Sequence, residues 1–148
     1  MTPVEGAGRH IDTPVAFAGD EGAADPRLAA ALGQGRADAV LAVLTEGVRL
    51  LVPIVAVRDD VDADGADTSS HMASVSLVQP DGRRGMLAFT SLETMRAWDP
   101  TARPVPVRAC DVAAAALAEG ADGVLVDIAG PIRFALDGES LHRVAESA

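Results

Sequence analysis

Apolar and polar residues recur along this chain with two periods, and the switch between them marks the elements. Behind Asp25-Pro26, a cap residue followed by proline at the first helical position, Leu28 and Leu32 lie four apart and predict a short helix that Gly33 and Gly35 end. A second helix is expected over about 37–46, with Val40, Leu41 and Leu44 inward and Gly47 as its stop. Leu50–Val57 is apolar at nearly every position, the pattern of a strand covered on both faces. Pro53 has no N–H for a ladder, which implies a bulge or a sheet edge there. Ala73, Val75 and Leu77 alternate with Ser74 and Ser76, a half-buried strand, and Pro80-Asp81-Gly82 turns it into the return strand Arg84–Phe89.

The helical period resumes at Leu92, Met95 and Trp98, after a capping-box pattern in Thr90-Ser91-Leu92-Glu93 with Thr90 read as the cap. Asp99-Pro100 stops that helix, and Val105 and Val107 mark a short strand. Asp111 is read as the cap of a helix through Leu117 that Gly120 closes. Val124–Ile128 forms a strand, Gly130-Pro131 turns it into Ile132–Leu136, and Asp137 caps a last helix with Leu141 and Val144 on one face. The resulting order, α-α-β-β-β-α-β-α-β-β-α, predicts an α+β fold. Its strands form one mixed, mostly antiparallel β-sheet flanked by α-helices. Residues 1–24 show no sustained period and read as a flexible tail with a short ordered patch at Val15–Phe17, leaving 25–148 as a single domain.

Composition narrows the function classes. The chain has 148 residues, 49% of them hydrophobic, with 22 acidic and 12 basic groups and a net charge of -10. Such a balance argues against nucleic acid as a main partner, since phosphate binding needs clustered positive charge. All 12 basic residues are arginine, and only Arg83-Arg84 are adjacent. No apolar run approaches the ~20 residues needed to span a bilayer, and Met1–His10 holds no secretory apolar segment. The single cysteine excludes an internal disulfide framework. Together these predict a cytoplasmic protein with neither membrane nor nucleic acid as partner.

Candidate chemistry is sparse. Asp60, Asp62 and Asp64 before Gly65 match the start of a calcium loop, where alternate carboxylates supply hard oxygens and glycine makes the turn. The match breaks at position twelve, where His71 replaces a bidentate glutamate, so a solvated acidic loop over Asp59–Ser70 is the plainer reading. Cys110 stands at a helix start, where thiols can be activated, but Asp111 beside it opposes that, and it reads as a small core residue. His10, His71 and His142 show no metal spacing, no serine sits in a nucleophile elbow, and no glycine-rich phosphate loop is present. Neither a catalytic residue nor a cofactor is expected.

Several motifs occur in one order along residues 17–136. They are Phe17-Ala-Gly-Asp20, Ala24-Asp-Pro26, Leu50-Leu-Val-Pro53, Ser69-Ser-His-Met-Ala73, Pro80-Asp-Gly-Arg-Arg84, Ala88-Phe-Thr-Ser91, Ala97-Trp-Asp-Pro100, Ala102-Arg-Pro-Val-Pro-Val107, Glu119-Gly-Ala-Asp-Gly123 and Ala129-Gly-Pro131. In this ordered set the chain resembles the SseB protein N-terminal domain family. It departs at Leu87, where similar sequences often carry proline, and at His71, where an acidic residue is usual. The resemblance implies a small cytoplasmic α/β domain with no established reaction. The expected role is therefore non-catalytic, binding a protein partner or a second copy of itself. A surface of Phe89, Thr90, Ser91, Trp98 and Arg103 is the place to look, because a helix start, an indole and a guanidinium could meet there. A small-ligand site or enzyme on that 89–103 surface, and calcium binding by the 59–71 loop, are the alternatives.

Overall fold

The computed structural model describes residues 21–58 and 70–147. Two short helices open it, α1 (Pro26–Gly33) and α2 (Ala37–Leu44). The Asp25 carboxylate caps α1 by accepting from the Arg27 amide at 2.8 Å, as its position before Pro26 predicts. Partial burial of Asp25 opposes ionisation, but the amide and guanidinium of Arg27 outweigh it and hold the carboxyl below its ordinary range.

Strand β1 (Arg49–Arg58) follows, then β2 (Ser70–Ser74), β3 (Ser76–Val78) and β4 (Arg84–Ala88). Helix α3 (Leu92–Trp98) leads to β5 (Arg103–Arg108), α4 (Ala109–Ala118), β6 (Gly123–Val126), β7 (Phe134–Asp137) and α5 (Gly138–Ala145). The α+β class and the mostly antiparallel strands are as the periodicity predicts. The strands, however, divide into two ladders, β2-β1-β5 and β3-β4-β6-β7, in which β4–β6 is the parallel pair. A bridge between Leu51 and Phe89 joins them, with N–H···O distances of 2.7 and 2.8 Å.

The predicted strand at 73–77 is split at Val75 because it serves both ladders: Ser74 pairs with Ile54 of β1, and Ser76 pairs with Met86 of β4. Pro53 lies neither at a bulge nor on an edge strand. Backbone groups alternate between the two edges of a strand, and the Leu51 amide faces Phe89, so the nitrogen of Pro53 faces that same edge. It falls between the Leu51 bridge and the ladder to β2, where no donor is needed. By the same parity, Pro104 and Pro106 of β5 turn their nitrogens away from β1, closing an outer sheet edge to pairing.

Alternation divides the apolar residues between two faces. Leu50, Val52, Ile54, Met86, Ala88, Val124 and Val126 form the main core with α1, α2, α4 and α5. Leu51, Leu87 and Phe89 face the other way, under Met95 of α3 with Trp98, Val75 and Leu125 alongside. Cys110 is buried at the start of α4, as expected of a core residue. Asp111 lies in the first turn of that helix and does not cap it; Arg108 holds the cap position without a side-chain bond. Asp137 likewise holds the cap position of α5 without a capping bond, its carboxylate turned to Arg83 at 3.3 Å. The tail patch at Val15–Phe17 and the aspartates of the acidic loop lie outside the described residues.

A Cβ on Gly123 would lie 2.7 Å from the backbone oxygen of Leu136. Gly123→Ala should therefore lower the free energy of unfolding by about 1–3 kcal/mol. Gly85→Ala, whose new methyl meets the half-exposed side chain of Leu125, should cost less; urea melts of the two variants give the comparison. Glu119, half-buried after α4, has its pKa raised above 4.5 by burial, partly offset by the Ser74 hydroxyl and Arg84. A raised carboxyl pKa means the folded state favours the proton, so this stability is complete below about 4.5 and is lost as pH rises through the raised value. Glu119→Gln should unfold at higher urea than the parent at neutral pH, and the gap should close below pH 4.5.

Candidate functional site

The segment after β4 holds the densest polar cluster among the described residues. Phe89 ends the apolar run of β4 and is fully buried, with the Trp98 ring tilted 31° against it at 5.6 Å between centroids. Thr90 follows at the point where the chain leaves the sheet. It does not cap α3. Ser91 does, accepting from the Thr94 amide at 3.1 Å, while the Thr94 hydroxyl takes the glutamate's expected place and accepts from the Ser91 amide at 3.3 Å.

Thr90 is free of the cap because it is bound elsewhere. Its amide donates to Asp127 Oδ1 at 2.8 Å and its hydroxyl to Asp127 Oδ2 at 2.7 Å. The Thr94 hydroxyl adds a third bond to Oδ1 at 2.8 Å. Asp127 is itself buried, directly after β6, with φ 54°, a left-handed conformation that aspartate tolerates better than most residues. Its own amide bonds the Ala88 carbonyl at 3.0 Å, continuing the parallel β4–β6 pairing by one step.

On the other side of Thr90 lies Arg49, the first residue of β1, also buried. One of its guanidinium nitrogens donates to the Thr90 carbonyl at 2.7 Å and another to the Ala23 carbonyl at 2.6 Å. Beside it, the Gly22 carbonyl accepts from the Leu92 amide at 2.7 Å, bringing the chain ahead of α1 against α3. Three separated segments thus meet at Thr90, and Arg49 and Leu92 tie the chain ahead of α1 to them.

Of the five residues singled out from sequence, Phe89, Thr90, Ser91 and Trp98 are gathered here, while Arg103 stands exposed on β5 opposite Ile54 and takes no part in the cluster's hydrogen bonds. At the start of α3 the Leu92 amide donates to the Gly22 carbonyl and the Thr94 amide to Ser91 Oγ, with the Asp127 carboxylate bonded to the Thr94 hydroxyl beside them. Sequence reasoning missed Asp127, Arg49 and Thr94. The available signals were a lone carboxylate closing the apolar run Val124–Val126 and a lone arginine opening that of β1.

Elsewhere, a shallow cleft of about 150 Å³ lies at the opposite end of the second ladder, between Gln79, Arg83, Gly85, Gly123 and Asp137. It is crossed by the exposed Arg83–Asp137 ion pair. Among the described residues, no three His, Cys, Asp or Glu side chains are grouped to hold a metal, and no helix is long and apolar enough to cross a membrane. Calcium candidates Asp60, Asp62 and Asp64 lie outside the described residues. The family model described as SseB protein N-terminal domain matches residues 26–143, most of the chain. No curated protein and no solved structure matches it.

The cluster's place in the fold sets its expected response to mutation. Asp127→Ala leaves three donors without their acceptor and puts alanine at φ 54°, so a loss of about 3 kcal/mol or more is expected. Asp127→Asn retains the shape and the left-handed backbone and should lose less. Denaturation followed by the fluorescence of Trp98 should rank wild type above Asn and Asn above Ala; an Ala variant that unfolds at the wild-type midpoint would contradict the assignment.

Proposed function

This chain belongs to the SseB protein N-terminal domain family, and from that premise we propose that it is a non-catalytic domain that binds protein, with β3 as the contact edge. The observation that carries the reading is the exposure of that edge. Val78 is 67% exposed and Leu77 39%, large apolar side chains on a strand that closes one side of its ladder. Extended segments add to such edges through main-chain hydrogen bonds, with the side chains providing selectivity.

The polar cluster supports the same reading from the opposite direction. A general base or a ligand-binding carboxylate must offer an oxygen to something outside the protein. Both oxygens of Asp127 are taken by Thr90 and Thr94, and Phe89 and Thr90 are buried. The 89–103 region therefore works as a clasp between segments, and a small-ligand or enzymatic role for it is the weaker alternative. A cytoplasmic setting fits the single cysteine, Cys110, a buried free thiol.

Site-specific photo-crosslinking in the native cell provides the test. A photoreactive side chain at position 78 should yield a discrete protein adduct, whereas the same group at Ala118, exposed at the end of α4, should not. No adduct from position 78, or equal labelling from both, would count against a binding edge at β3.

A further inference from the structure

We infer that the edge of β3 pairs with the same edge of a second copy of this chain, antiparallel about a two-fold axis at Leu77. This inference rests on the protein-binding reading above and names the partner. The first support is the direction of the backbone groups. Leu77 pairs with Gly85, the Val75 carbonyl accepts from Leu87 at 2.9 Å, and the Gln79 amide donates to Arg83 at 2.8 Å. Residues 75, 77 and 79 therefore face β4, and by alternation Ser76 and Val78 turn their N–H and C=O groups outward. An antiparallel copy centred on Leu77 sets Ser76 opposite Val78 of the partner subunit and exchanges both pairs of bonds. Leu77 then meets its own image across the axis, at the closer, non-hydrogen-bonded spacing of such a ladder.

The second support is charge. Two copies of a chain carrying -10 repel each other, so a self-contact is favoured only where the surface is neutral. From Thr68 to Pro80, thirteen residues hold no Asp, Glu, Arg or Lys, in a chain that is 23% charged. An uncharged strand is self-complementary under a two-fold axis, as an isologous contact requires. β2, the outer strand just before β3, is uncharged as well, whereas β5 and β7 are not. β5 carries Pro104 and Pro106 between Arg103 and Arg108, and β7 ends on Asp137 with Arg133 just ahead of it. Charge and proline are the usual means of protecting a sheet edge, and β3 has neither. The pairing would join two four-stranded ladders into one eight-stranded sheet through β3.

Sedimentation equilibrium of the full chain over a wide concentration range tests the inference, with residue-resolved hydrogen exchange beside it. Reversible monomer–dimer behaviour is expected, with the amides of Ser76 and Val78 gaining protection as concentration rises. Val78→Lys places a cation within each half of the contact and should weaken the dimer about tenfold or more without moving the unfolding midpoint of the dilute, monomeric chain. A chain that stays monomeric at high concentration overturns the inference, as does a dimer that survives Val78→Lys with Ser76 and Val78 unprotected. If the chain is monomeric while position 78 still crosslinks to a different protein, the second copy is excluded and the binding reading stands. If position 78 crosslinks to nothing, both fall.

Discussion

A carboxylate removed from water is tolerated only where donors replace the solvent it has lost. Asp127 meets that condition with an amide and a hydroxyl from Thr90 and a hydroxyl from Thr94. The donors come from Thr90, just ahead of α3, and from Thr94 in its first turn, whereas Asp127 directly follows β6, so the bonds fix where the helix stands relative to the sheet. That placement brings Met95 and Trp98 over Leu87 and Phe89 and produces the second apolar cluster. Arg49 holds the same Thr90 from the side of β1 and reaches Ala23 ahead of α1. The two ladders share few backbone bonds, so these side chains do much to set their relative position.

The junction also explains how one chain serves two ladders. β1 and β4 meet at Leu51 and Phe89 and then separate. The segment from Ser70 to Val78 follows β1 first and β4 afterwards, with Val75 at the change and its side chain against the smaller cluster. A proline in the middle of β1 would ordinarily interrupt such an arrangement. At position 53 it coincides with the gap between the two partners, where a donor would have nothing to meet.

Periodicity and capping made most of the elements legible. Asp25-Pro26, the alternation in the hairpin strands, the Leu92–Met95–Trp98 stripe and the Leu141–Val144 pair all reflect local rules that tertiary packing reinforces. What stayed hidden depends on partners distant in sequence. Thr90 reads as a cap because a threonine before an apolar helical stripe usually is one, and only Asp127, thirty-seven residues away, turns it aside. Arg49 looks like a solvent-facing residue at a strand start until the fold supplies two carbonyls for it. The division of the strands into two ladders was equally invisible, because alternation records the faces of a strand and says nothing about its neighbours.

The candidate site illustrates a separation between what marks a family and what a protein does. The most recognisable motif here, Phe89-Thr90-Ser91 ahead of Trp98-Asp99-Pro100, is accounted for by folding. The phenylalanine fills the smaller cluster, Thr90 completes the Asp127 clasp, and Ser91 caps α3. A motif so engaged specifies architecture, and architecture alone does not assign function. The contact edge proposed above lies elsewhere, along Ser76–Val78, a short uncharged strand with its backbone turned outward. Binding through main-chain hydrogen bonds requires little of side-chain identity beyond neutrality and modest apolar character. An edge of that kind can be functional without any residue pattern that sequence comparison would single out.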